Sequence, residues 1–125
     1  MSKSIETKNA PAPIGPYSQA VQAGNTLYVS GQIALNPETG ELEMATLQAE
    51  THRVMKNLRA VLAAADYGLE DVVKCSIFIT NMGDFGVINE IYGGYFYNTF
   101  PARETVQVAG LPKGVRVEIS CIAVK

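Results

Sequence analysis

Tryptophan is absent from this chain, histidine occurs once and cysteine twice in 125 residues. One histidine, His52, cannot furnish a histidine-rich ligand set, and no Cys, His and carboxylate cluster has ligand spacing, so no metal is expected. Neither Cys75 nor Cys121 has a histidine base near it in sequence, and no serine stands in a nucleophile-elbow pattern. Glycine-rich dinucleotide and phosphate loops are missing as well, which leaves no nucleotide cofactor implied. Neither sign of charge is in large excess: ten Lys and Arg stand against twelve Asp and Glu, a net charge of −2. Without a basic stripe, nucleic acid is not the expected partner. No apolar run is long enough to span a bilayer, and no apolar stretch follows Lys3 as in a secretory signal. The cytoplasm is the expected address, and there two cysteines in apolar segments read as free buried thiols.

What is present is an ordinary globular composition, 47% apolar and 18% charged, in a length that suits one domain over residues 1–125. Asn9-Ala10-Pro11-Ala12-Pro13-Ile14-Gly15-Pro16 runs extended and then turns. A short strand is expected over Tyr17 to Gln22, a tight hairpin at Gly24-Asn25, and a returning strand at Leu27 to Ser30 whose pattern breaks at Gly31. Asn36-Pro37-Glu38-Thr39-Gly40 is a second turn. Thr46 opens a helix whose apolar face is Val54, Leu58, Val61, Leu62 and Ala65; Thr51, Lys56 and Arg59 fall mostly on the other face, and Gly68 is its expected stop. His52 reads as a residue on the surface of that helix. Val72 to Thr80 alternates as a half-buried strand. Asp84 caps a second helix with Phe85, Ile88, Ile91, Tyr92, Tyr95 and Phe96 at helical spacing, and Gly93-Gly94 inside it as a point of close packing or fraying. Strands at Thr105 to Ala109 and Val115 to Val124 follow, joined across Leu111 to Gly114. The order is β-β-(β)-α-β-α-β-β. It suits an α+β fold, a mixed sheet with two helices packed on one face. The other face, with Lys74, Ser76, Gln107, Glu118 and Ser120, is left to solvent or to other subunits.

Several residues offer chemistry, each beside a plainer reading. Arg103 follows Phe100-Pro101-Ala102 just before a strand; a guanidinium there forks onto a carboxylate or forms a surface ion pair with Glu104, and local sequence favours the ion pair. Glu118 lies inside the apolar run Val115 to Ile119. Under another chain its carboxylate would be desolvated and suited to proton transfer near neutral pH; otherwise it pairs with Arg116 or a neighbouring strand. Tyr17, Ser30 and Gly31 supply a phenol, a hydroxyl and open backbone, or simply a core ring, a strand end and a bulge. Asn89 is a ligand contact or an exposed polar residue.

Together the blocks Pro13-Ile14-Gly15-Pro16-Tyr17-Ser18-Gln19-Ala20, Ser30-Gly31-Gln32-Ile33, Asn36-Pro37-Glu38-Thr39-Gly40 and Phe100-Pro101-Ala102-Arg103-Glu104-Thr105-Val106, continued by Leu111-Pro112-Lys113-Gly114 and Val117-Glu118-Ile119, resemble the Rid (YjgF-type) family, nearest its deaminase A branch. The resemblance implies a chorismate-mutase-like fold and a homotrimer with clefts between subunits. It implies cofactor-independent hydrolysis of 2-aminoacrylate and 2-iminobutanoate types to 2-oxo acids and ammonia. Arg103 matches the residue that grips the substrate carboxylate and Glu118 the one that positions water. Tyr17, Ser30, Gly31 and Asn89 match cleft positions. Thr105 stands where the family commonly has cysteine; it keeps a small polar group and adds a branch. An iminium carbon beside a carboxylate is already electrophilic, so orientation, a placed water and a proton shuttle suffice. Two other classes compete: a non-catalytic module binding small carboxylates such as 2-oxo acids, and a ribonuclease or translation inhibitor, against which the acidic balance counts.

Overall fold

In a computed structural model that describes residues 2–125, six strands form one mixed sheet. They are β1 (Ser2–Ile5), β2 (Ala20–Ala23), β3 (Thr26–Gln32), β4 (Val72–Ile79), β5 (Ala102–Gln107) and β6 (Val117–Val124), in the spatial order β1-β2-β3-β6-β4-β5. Only β4 and β5 run parallel; every other neighbouring pair is antiparallel. The helices are α1 (Leu47–Ala64) and α2 (Phe85–Gly93). The expected mixed sheet with two helices on one face is what the chain forms. No described helix is long and apolar enough to cross a membrane.

Alternation decides which side of each strand is covered. Val117, Ile119, Cys121 and Ala123 of β6 and Cys75, Ile77 and Ile79 of β4 are buried with Val54, Met55, Leu58, Val61 and Leu62 of α1 and Ile88 and Tyr92 of α2. Burial of each large apolar side chain here contributes roughly 1.5–3 kcal/mol. Lys74, Ser76, Phe78, Glu118, Ser120 and Ile122 occupy the alternate positions, on the uncovered face.

Several boundaries differ from expectation, each for a local reason. β1 has no apolar alternation to announce it and is held by pairing with β2, which itself begins at Ala20 rather than Tyr17. Thr46 does open α1, its Oγ1 accepting the Ala49 N–H at 3.0 Å. The helix then stops before Gly68: Asp66 takes the left-handed conformation (φ 63°), and the N–H groups of Asp66 and Tyr67 close back on Ala63 and Leu62. Aspartate tolerates that conformation better than most residues, so glycine was not needed there. Thr51, expected outside, is buried and returns its hydroxyl to the Leu47 carbonyl. His52 is on the helix surface, as expected, bonded to the Tyr95 hydroxyl at 2.7 Å. Val73, which strict alternation with Cys75, Ile77 and Ile79 would bury, is exposed because a bulge between Val72 and Lys74 gives β4 one extra residue opposite Ala123 and Ile122 of β6. The second helix ends at Gly93, and Tyr95 and Phe96 continue as tighter turns bonded to Tyr92 and Gly93. Asp84 precedes α2 without a side-chain cap; Asn81, whose Oδ1 accepts the Gly83 N–H, organises the turn instead.

One buried charge ties the layers together. Glu50, in the first turn of α1, is fully buried; its carboxylate accepts the Arg116 backbone N–H at 2.7 Å and Arg116 Nε at 2.6 Å. Arg116 also donates to the Met44 carbonyl. Removing one partner of such a pair leaves the other uncompensated. Because the Arg116 side chain keeps 35% exposure, the low end of the usual range applies: Glu50→Ala is expected to lower unfolding free energy by about 3 kcal/mol. Urea denaturation checks this, and a loss below about 1 kcal/mol would show the pair to be dispensable.

Candidate active site

The expected site residues fall into two groups. The first is built on β3 and β6. Between Val29 and Gln32 the register of β3 against β6 slips by one residue, which places a bulge at Ser30-Gly31. Ser30 Oγ donates to the Ser18 carbonyl at 2.6 Å and its N–H to the Gln19 carbonyl at 3.0 Å. The glycine is required by what lies over it: a Cβ at residue 31 would come 2.8 Å from Glu118 Cδ and 3.0 Å from its Cγ. The Glu118 carboxyl therefore rests on bare backbone. It is half-buried, and burial raises its pKa above the ordinary carboxylate value. Tyr17 and Gly31 line a common recess of about 20 Å³ with Pro11, Ile14 and Ile33. The Tyr17 hydroxyl accepts the Ile14 N–H at 3.3 Å.

Sequence reading passed over the residue that holds this corner. Gln19 is buried; it accepts the Thr7 N–H at 2.7 Å and donates to the carbonyls of Thr7, Ala10 and Pro11. That anchors the proline-rich segment whose far end carries Tyr17. A glutamine beside a strand start carries no periodic signal, so only the folded chain exposes its role.

The second group is built on β5 and α2. Arg103 lies within β5, not ahead of it as expected, directly beside Cys75 of β4. Since Cys75 faces the helices, so do Arg103 and Thr105. Arg103 Nη1 donates to Asn89 Oδ1 at 2.7 Å, and its Cζ lies 5.3 Å and 5.6 Å from the ring centres of Tyr92 and Phe85. The Thr105 hydroxyl is buried without a partner. So is that of Tyr92, whose pKa is raised first by burial and then by the neighbouring Cys75 thiol. Cys75 is likewise raised chiefly by burial, against which Tyr92 and Arg103 act; Cys121, opposite it on β6, is raised by burial too. Both are free thiols.

The plainer partners are engaged elsewhere. Glu104 sits on the opposite face from Arg103, paired with Lys74 at 3.0 Å and hydrogen-bonded by Ser76, and these contacts, Ser76 first, hold its carboxyl below the ordinary value. Arg116 is taken by Glu50, not Glu118. Gln107, expected on the uncovered face, follows Arg103 and Thr105 instead and accepts the Met82 N–H.

Arg103 and Glu118 do not converge within one chain. They project from opposite faces of the sheet, on strands separated by β4, roughly 10 Å apart from strand spacing alone. A wide concavity elsewhere on the chain serves neither. It has a volume of about 1100 Å³ between the outer sides of α1 and α2, and its basic groups are turned onto one ring: His52 bonds the Tyr95 hydroxyl and Arg59 lies over the Tyr95 ring.

A model of the endoribonuclease L-PSP family matches residues 7–125. The chain belongs to this family, also called Rid, YjgF or RutC. Among its Rid relatives, a RutC family protein of Pyrococcus horikoshii is 47% identical over all of this chain and 99% of its own length. The 2-iminobutanoate/2-iminopropanoate deaminase of Mus musculus is 49% identical, covering 98% of this chain and 91% of its own. The crystal structure of TdcF from E. coli with bound serine superposes with a TM-score of 0.95 at 44% identity, covering 98% of both chains. Names within the Rid family are thus mixed.

The contact over Gly31 makes a prediction independent of activity. In Gly31→Ala the new methyl displaces the Glu118 carboxyl toward water, so its pKa is expected to fall back toward the ordinary glutamate range. Carboxyl-carbon NMR titration reads the change; an unmoved midpoint would mean that burial at Gly31 does not govern Glu118.

Proposed function

We propose that this Rid protein hydrolyses small 2-imino acids and their enamine tautomers, of the 2-aminoacrylate and 2-iminobutanoate type, to 2-oxo acids and ammonia. The site is assembled between copies of the chain, in a homotrimer of chorismate-mutase-like form. Arg103, Asn89 and Thr105 of one copy face Glu118, Gly31, Ser30 and Tyr17 of its neighbour. The observation that carries this reading is the split itself. A guanidinium with the donor geometry to fork onto a carboxylate stands on the edge strand β5, and a partly desolvated carboxyl rests on the uncovered face. That face also exposes Tyr28, Val106 and Val124, apolar side chains that another copy would bury. The identity to named imine deaminases supports the reaction class. The serine bound by the E. coli relative carries a carboxylate of the kind Arg103 would fork onto.

The chemistry follows from these groups. Arg103 fixes the substrate carboxylate and orients the C=N carbon. Glu118, as carboxylate, takes a proton from water as its oxygen adds to that carbon. The resulting carbinolamine receives that proton on nitrogen; as the C–N bond breaks and the carbonyl forms, the hydroxyl proton passes to Glu118 and from it to the departing ammonia, which leaves as ammonium. No electrons are exchanged with a third party, and the proton is returned, so the steps require no cofactor.

Mixed with a serine or threonine dehydratase, the chain is expected to hasten imine loss, and Arg103→Ala to reduce that acceleration by at least about 100-fold without changing the sedimentation behaviour. Equal rates for the two proteins would remove Arg103 from the site. Binding of 2-oxobutanoate without turnover would instead identify a carboxylate-binding module. The raised Glu118 pKa sets the sign of the pH response: the protonated form is inactive as base, so kcat/KM falls on the acid side at a pH above that of an exposed glutamate. Glu118→Gln is expected to abolish this limb along with most of the rate.

A further inference from the structure

An arginine on an edge strand ordinarily keeps most of its rotamer freedom, and a freely moving fork is a poor anchor for a small acid. Arg103 is exposed, yet its guanidinium meets three residues of α2 at once. Phe85, Asn89 and Tyr92 follow steps of four and three, so they share one face of that helix. Asn89 Oδ1 takes one N–H at 2.7 Å, and the two rings lie 5.6 Å and 5.3 Å from Cζ, within cation–π reach. Asparagine accepts through a single carbonyl oxygen here, so the other N–H groups of the guanidinium stay free for a carboxylate.

We propose that Phe85 and Tyr92 are positioning residues: their rings hold the Arg103 guanidinium in one plane while Asn89 fixes its rotation, which presents the remaining donors to the carboxylate of a small 2-imino or 2-oxo acid. This rests on the reading of Arg103 as the carboxylate anchor. The ring, not the phenol, is the working part of Tyr92: the ring lies 5.3 Å from Cζ, while the buried hydroxyl neighbours the Cys75 thiol. Phe85 is only partly buried at the margin of the core, whereas Tyr92 is deeply buried between α2 and the sheet. Phe85 is therefore the position at which the ring is removed with least disturbance to the fold.

The test uses the full-length protein and two readouts. In the first, the Arg103 Nε–H signal is followed by NMR in Phe85→Leu, Phe85→Tyr and Tyr92→Phe. Rings near the guanidinium shift this signal; Phe85→Leu is expected to move it toward the position of exposed arginines, while the two variants that keep a ring leave it nearly unchanged. In the second, steady-state hydrolysis of freshly generated 2-iminobutanoate and binding of 2-oxobutanoate are measured. Phe85→Leu is expected to raise KM and the 2-oxobutanoate Kd about 3- to 10-fold, with kcat little changed, because the carboxylate grip is shared by ground and transition states. Phe85→Tyr restores the wild-type values, and Tyr92→Phe leaves them in place. An unmoved Arg103 signal with unchanged KM in Phe85→Leu overturns the proposal, as does a KM rise in Tyr92→Phe equal to that in Phe85→Leu. Should the wild type hydrolyse no imine, the proposed reaction fails, and the NMR and 2-oxobutanoate arms still decide whether the rings position Arg103.

Discussion

Successive side chains of a β-strand point to opposite faces, and the organisation of this protein depends on that constraint. Arg103 lies beside Cys75, which faces the helices; Glu118 lies beside Phe78, which faces away from them. No rotamer brings a guanidinium and a carboxyl together through a hydrogen-bonded sheet. Under the proposed function, a single copy of the chain therefore offers two half-sites. One is cationic and framed by α2, the other acidic and seated on a glycine bulge. The same alternation places apolar Tyr28, Val106 and Val124 on the uncovered face.

The two half-sites are stiffened by different means. On the acidic side, the bulge at Ser30-Gly31 removes the side chain that would otherwise occupy the space of Glu118. Gln19 draws the proline-rich segment against the same corner through four hydrogen bonds. The Glu50–Arg116 pair fixes the entry to β6 just two residues before Glu118, so a buried carboxylate held by a partly exposed arginine sets the start of the strand that carries the acid. On the cationic side, the stiffening comes from a helix face rather than from a loop, and Glu104 is kept off Arg103 by its engagement with Lys74 and Ser76.

Much of the fold was legible because apolar periodicity is strong where elements are half-buried. Val54 to Leu62 marked α1, Cys75 to Ile79 marked β4, and Gly24-Asn25 marked the β2–β3 hairpin. The unreadable parts share a cause. β1 and the start of β5, ahead of the expected Thr105, belong to edge strands whose side chains are almost all exposed, so no alternation in hydrophobicity marks them and pairing with a neighbour makes them strand. The end of α1 was misplaced because Asp66, not the more obvious Gly68, takes the left-handed turn. Of the site residues, Gly31 as a bulge was visible from the break in its strand pattern. Phe85 and Tyr92 looked like core positions of an amphipathic helix, and nothing local marks a core ring that also lies beside a guanidinium.

By itself the sequence determined the layers, the family through its separated blocks, and which residue types were available for chemistry, because these depend on local pattern and on side-chain identity. Only the tertiary structure decided which residues meet. It turned Arg103 toward the helices and Glu118 away from them, gave Arg116 to Glu50 and Glu104 to Lys74, and set Glu118 over Gly31. Those outcomes depend on strand register, and register is a property of paired strands far apart in the chain: shifting β5 by one residue against β4 would place Arg103 on the other face without altering a single amino acid.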